Sequence, residues 1–142
     1  MWATRIMLMV VVSGVVAPAQ AEPVAVIVNS ENTQALSSAD VRNMYEDNVI
    51  VWSNGDPVRP YHLSTKSDAR EVFSKNVLDK SAMAAARFWA NKKITNTAKN
   101  PPETSNELLV INEVLRNRQA IGYVPLAMVK KQDGVRIVLT VE

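Results

Sequence analysis

The apolar positions of this chain change pattern three times. From Ile6 to Val16 they form one almost unbroken run, preceded by Arg5 and followed by Ala-Pro-Ala-Gln-Ala and the acidic Glu22. That run is about half of the roughly 20 residues that cross a bilayer. With small residues at Ala19 and Ala21, three and one positions before the expected cut, it has the layout of a secretory signal peptide. The expectation is export to a periplasm with cleavage after Ala21, so residues 1–21 are a leader and residues 22–142 a single domain with no membrane insertion.

Beyond the leader the pattern alternates between strand-like and helix-like segments. Val24-Ala25-Val26-Ile27-Val28 is continuous and β-branched, as in a strand covered on both faces. After a loop over Asn29 to Thr33, Ser37 with Asp40 three residues on opens a helix that buries Val41, Met44 and Tyr45 and stops near Asp47 or Asn48. Val49 to Trp52 and Val58 to Leu63 predict extended segments around the turn Ser53-Asn54-Gly55-Asp56-Pro57. A second helix starts at Ser67 and buries Val72, Phe73, Val77 and Leu78. A third runs from Ala82 to Asn91, capped by Ser81, with Met83, Ala86, Phe88 and Trp89 inward. An irregular stretch covers Thr95 to Pro102. The box Thr104-Ser105-Asn106-Glu107 predicts a fourth helix with Leu108, Ile111 and Leu115 on one face and Arg116 and Arg118 at its end. Ala120 to Val124 and Val135 to Val141 are strands. Interleaving of this kind predicts an α/β domain, a mixed sheet flanked by helices.

Composition narrows the function classes. The 121 residues after the leader are enough to bury a core unaided, and they must, because the chain has no cysteine. Disulfides, thiol catalysis and a cysteine-borne lipid are excluded. With 16 Lys+Arg against 14 Asp+Glu, and Arg5 removed with the leader, the excess is too thin for a nucleic-acid-binding surface. Lys92, Lys93 and Lys99 read as a solvated basic loop, and Trp52 and Trp89 as core residues.

Chemistry of the catalytic kind is not assembled anywhere along the chain. The single histidine, His62, stands two residues before Ser64 without the strained turn a serine nucleophile needs. One histidine and scattered carboxylates do not build a metal site, and four glycines form no phosphate loop. The expectation is a binding protein, not an enzyme, with no catalytic residue, metal or cofactor. The segment Ser64-Thr65-Lys66-Ser67-Asp68-Ala69-Arg70 gathers hydroxyls and amides at the start of the second helix, where anions are favoured. Arg70 in a first helical turn opposes the macrodipole. Either an oxyanion held by its guanidinium compensates, or a neighbouring carboxylate, Asp68 or Glu71, does.

Four segments, taken in order, resemble the phosphate-binding proteins of ABC importers. Val26-Ile27-Val28-Asn29 with Leu36-Ser37 through Met44-Tyr45 is similar to that family's V-V-N followed by L-S-x-x-x-L-R-x-I-F. Ile50 to Val58 matches I-T-x-W-x-x-G-x-P-[IV], Ser67 to Phe73 matches S-G-T-R-x-x-F, and Ala120 to Tyr123 matches A-I-G-Y. The resemblance implies one lobe of a type 2 periplasmic-binding-protein fold that captures inorganic phosphate or a related oxyanion for an ABC permease or a sensor. Its implied ligand contacts are Ser30, Ser67, Asp68 and Arg70. The chain departs from the pattern at Asp68 and Ala69, where the family carries Gly and Thr, and at Leu63, where it carries Arg. It is also about half the family's length. The alternative is an accessory or scaffold of the cell envelope that keeps the fold without the ligand.

Overall fold

The computed structural model describes residues 22–95 and 101–142, together with Val10, Val11, Ser13 and Gly14. The remaining leader positions and the stretch 96–100, with Lys99, lie outside the described residues, as does the side chain of Lys93. Strand β1 (Val24–Asn29) is wholly buried, as its unbroken apolar run requires. Helix α1 (Ser38–Tyr45) has the expected box: the Ser37 hydroxyl accepts from the Asp40 amide while the Asp40 carboxylate accepts from the Ser37 amide. Val49 to Trp52 is not a full strand. It forms a hairpin with one bridge, Val51 to Pro57, around Gly55 in the left-handed region.

The extended run from Val58 to Leu63 divides in two. Strand β2 (Arg59–Pro60) pairs in parallel with β5 (Ala120–Pro125), whereas β3 (His62–Leu63) pairs in parallel with β4 (Glu103–Thr104). Arg59 and Tyr61 donate to the carbonyls of Gln119 and Ile121, so the amide that Pro60 lacks falls on the open edge of the main sheet. His62 then donates to the Pro102 carbonyl, where the second sheet begins. Helix α2 (Asp68–Phe73) passes directly into a π-helical turn, Ser74–Leu78, closed by Asp79 in the left-handed region. Helix α3 (Ala82–Thr95) is longer than expected, and the Ser81 hydroxyl accepts from the Ala84 amide. Ala82, Ala85 and Trp89 face the core while Met83 is exposed.

Helix α4 (Glu107–Arg116) is capped by Asn106, not by Thr104. Thr104 belongs to β4, and its hydroxyl accepts from the Asn106 amide instead. The inward face of α4 is Val110, Ile111 and Val114, leaving Leu108 in solvent. Strand β6 (Val135–Val141) completes a four-stranded mixed sheet in the order β2-β5-β1-β6, with β1 antiparallel to both neighbours.

Helices cover both faces of the sheet. Gly122 on β5 lies under α4 so closely that a Cβ there would stand 2.5 Å from the Val110 Cγ1. The next residue, Tyr123, points to the other face, stacking on Phe73 at 3.9 Å between ring centres beside Tyr45 and His62. Asn29 ties the end of β1 to α4, donating to the carbonyls of Val114 and Leu115. Tyr45 ties α1 to the sheet, its hydroxyl lying 2.8 Å from the Tyr61 carbonyl and 3.2 Å from that of Ile121. Trp52 and Trp89 are both buried, and each donates its indole N–H to a backbone carbonyl, of Gln119 and Tyr45 respectively.

Candidate functional site

The amino end of α2 opens into a groove of about 920 Å³ that also touches Val24, Pro125 and Ser105. Ser67 is the cap, its hydroxyl accepting from the Arg70 amide at 3.2 Å. Its own amide donates to the Ser64 carbonyl, and the Ser64 hydroxyl accepts from Lys66. The first-turn amides of Asp68 and Ala69 have no intrahelical acceptor, and both residues line the groove. Three serine hydroxyls (Ser64, Ser67 and Ser105) and the ammonium of Lys66 line the same space.

Arg70 does not line it. The residue is fully buried, and its guanidinium Nη1 donates to the Leu63 carbonyl at 2.7 Å and to the Glu103 carboxylate at 3.1 Å. An open guanidinium seated against an external guest is therefore corrected: the compensating carboxylate belongs to the protein. It is neither Asp68, which is exposed, nor Glu71, which pairs with Lys75 and accepts from the Ala82 amide. Glu103 stands 33 residues away in sequence. Nothing local marked it, because the β3–β4 pairing that delivers it joins two-residue strands across the intervening helices α2 and α3.

Ser30 is not brought to the groove either. It follows the far end of β1, where its amide donates to the Gly134 carbonyl. The groove touches Val24 at the near end, so a strand rise of about 3.3 Å per residue separates the two positions by roughly 20 Å. The structure gathers Ser67 and Asp68, buries Arg70 beneath them and leaves Ser30 apart.

The groove's charge is mixed and leans acidic. Glu22, Asp68, Glu71, Glu107 and Glu142 line it against Lys66 and Lys75. Two of these, Glu71 and Lys75, are paired to each other. A fully ionised anion meets repulsion here, whereas a solute that carries a proton can donate it to a carboxylate.

His62 is placed for structure and not for proton transfer to a solute. Its Nδ1 lies 2.8 Å from the Tyr123 hydroxyl, which also accepts from the Leu63 amide, and burial with the nearby Arg70 charge pushes the imidazole well below its usual range. Burial raises the hydroxyls of Tyr45 and Tyr123. Ser64 lines the groove, where its hydroxyl accepts from the Lys66 amide. Among the described residues there is no group of three or more carboxylate or imidazole side chains arranged to hold a metal ion. No helix among them is long and apolar enough to cross a membrane.

Comparison with known proteins bears on the fold. A family model described as a PBP superfamily domain matches residues 15–140. Comparison with curated protein sequences gives no match. Among solved structures, the chain is similar to an ABC-type phosphate transport receptor from Vibrio cholerae, with a TM-score of 0.64 and 15% identity over 82% of this chain and 45% of that one. It is also similar to a protein assigned as a phosphate ABC transporter substrate-binding protein, with bound phosphate, from Clostridium perfringens. There the TM-score is 0.66 and identity 19%, over 84% of this chain and 46% of that one. A third, assigned as phosphate-binding, comes from Planctomyces limnophilus, with a TM-score of 0.62 and 16% identity over 84% of this chain and 42% of that one. The chain thus spans less than half the length of these structures.

Proposed function

The chain belongs to the PBP superfamily domain family, and from that premise we propose that it is an exported solute-binding protein for inorganic phosphate or a related oxyanion. On this reading it works in the periplasm and hands its ligand to an ABC permease or a sensor. The observation that carries the reading is the Ser67-capped amino end of α2, whose first-turn residues Asp68 and Ala69 line an open groove together with Ser64. Helix amino ends favour anions through free N–H groups and the macrodipole. The names of the solved neighbours point to the same ligand class.

The direct contacts on this reading are Ser67, the amides of Asp68 and Ala69, and Lys66, with Asp68 accepting a proton from a protonated phosphate oxygen. Arg70 holds the seat in place from below through Leu63 and Glu103. An open groove on one lobe leaves much of a ligand in water, so the affinity is weak compared with an enclosed site. Calorimetric titration of residues 22–142 with phosphate and sulfate, at pH 6 and pH 8, tests this. The expected result is heat with phosphate, greater at pH 6 and reduced in Ser67→Ala. Preference for phosphate over sulfate should be lost in Asp68→Ala.

A second reading has its own observation. The guanidinium that could have gripped an anion is already satisfied by Glu103, and the groove holds more carboxylates than ammonium groups. Both favour an envelope accessory that keeps the fold without a ligand. Absence of heat with every oxyanion at both pH values would select it.

A further inference from the structure

The two edges of the main sheet are unlike. On one side β2 is two residues long, and Pro60 has no amide to offer a further strand. On the other side β6 runs for seven residues, Val135–Val141, and pairs along its length with β1. Among the described residues no strand lies beyond it. Its outer row of amides and carbonyls is a template for one more strand. Edges of this length are normally guarded by lysine, proline or an inward charge. Here the strand reads Val-Arg-Ile-Val-Leu-Thr-Val, and its single charge, Arg136, donates to the carbonyls of Asn32 and Gln34. Ile137 and Thr140 are exposed. The guard it does carry is a bulge: Val26 faces Leu139 and Ile27 faces Ile137, so Val138 is an extra residue that adds twist.

One flank of α4 extends this apolar edge. Leu115 lies against Gly134, the residue before β6, so closely that a Cβ on that glycine would stand 2.6 Å from the Leu115 Cδ2. Leu108, two turns back on the same stripe, is 60% exposed. Leu109 belongs to the opposite flank, one turn before Glu113, whose carboxylate accepts from the Tyr61 hydroxyl next to β2. The stripe of Leu108, Ile111 and Leu115 is therefore only partly covered by this chain, and its open end lies on the β6 side.

We propose that β6 is the docking edge for a second copy of this chain, the two β6 strands pairing antiparallel about a two-fold axis and joining two sheets into one. Charge along the edge selects this occupant and its direction. Helix α4 runs beside β6 in the opposite sense, since Leu115 lies by Gly134 at the start of the strand while Glu107 and Glu142 line the same groove at its end. Arg136 and Arg116 therefore mark the beginning of the edge, Arg116 also pairing with Glu113, and Glu107 and Glu142 mark its finish. The exposed loop leading into β6 adds Lys130 and Lys131 against Asp133. Antiparallel pairing sets each acidic end against the other copy's basic end, whereas parallel pairing sets like against like.

Twist and closure agree with that choice. A second β6 carries the same bulge and the same added twist, so the two edges match along their length. Because β2 blunts the opposite edge, each main sheet has one long free edge among the described residues, and association stops at two. One strand and a helix flank make a small interface, so the dimer is reversible, with a dissociation constant of about micromolar or weaker.

Sedimentation equilibrium of residues 22–142, from about 5 µM to about 1 mM, should show a reversible monomer–dimer step. Ile137→Lys puts on the edge the residue that natural edges use against pairing, and should weaken the dimer at least about tenfold. Leu108→Lys should weaken it more than Leu109→Lys, the matched change on the far flank of α4. Glu142→Lys makes the acidic end basic and should weaken it at low salt. Amide exchange over residues 135–141 of the unmodified chain should slow as protein concentration rises, a readout that needs no variant to fold. A chain that stays monomeric throughout, a dimer indifferent to Ile137→Lys, or β6 exchange that ignores concentration overturns the proposal. So do equal effects at Leu108 and Leu109, a dimer that Glu142→Lys leaves unchanged or strengthens, and association that continues past two.

Discussion

Replacing Glu103 by alanine removes the carboxylate that, among the described residues, pairs with the Arg70 guanidinium. The cost lies between two known limits. Exposed ion pairs contribute about 0.2–1 kcal/mol, whereas breaking a buried pair from one side costs about 3–5 kcal/mol. Here the arginine side chain is 1% exposed and the glutamate 48%. Water already screens the carboxylate, and the Leu63 carbonyl keeps accepting from the same nitrogen at 2.7 Å. We therefore expect a loss of about 1–2 kcal/mol, seen as a melting temperature lowered by roughly 4–8 °C. The same change opens a path from solvent to a buried cation close under the ligand seat. Added phosphate should then raise the melting temperature of Glu103→Ala more than that of the wild type. At ten times its dissociation constant, phosphate returns about 1.4 kcal/mol by mass action. Differential scanning calorimetry with and without phosphate measures both effects. A variant as stable as the wild type, or one whose response to phosphate is no greater, refutes the view that Glu103 occupies an anion's place.

Three further expectations follow from particular contacts. Gly122→Ala drives a methyl to 2.5 Å from Val110, so denaturant unfolding should show a loss of about 1–3 kcal/mol from overpacking against α4. Tyr123→Phe strips the acceptor from the Leu63 amide and the partner from His62 Nδ1. It should cost about 1–3 kcal/mol and shift the imidazole nitrogen signals, and an unchanged spectrum would contradict the bond between His62 Nδ1 and the Tyr123 hydroxyl. Ser67→Ala removes the α2 cap, worth about 1 kcal/mol, and should weaken phosphate binding. Ser30→Ala, roughly 20 Å away, should change neither stability nor binding. Equal effects of the two on phosphate heats would show that the ligand is not at α2.

What the amino-acid sequence determined by itself was whatever depends on neighbours within a turn or a strand. The continuous apolar run of β1 implied burial on both faces, and the Ser37–Asp40 box implied the start of α1, because both signals are complete within a few residues. The order of motifs likewise carried the fold class. Tertiary structure decided where those signals compete. Thr104 reads as a cap, but pairing of β4 with β3 claims it and passes the cap to Asn106. Leu108 fits a helical stripe, yet the close approach of α4 to Gly122 rotates Val110 and Val114 inward instead. The site shows the same division. That Arg70 opposes a helix dipole is visible in sequence, but which carboxylate answers it depends on a pairing between residues 33 apart. A charge in a core takes the partner that three-dimensional packing brings within hydrogen-bond reach, and that distance is not encoded in any local spacing.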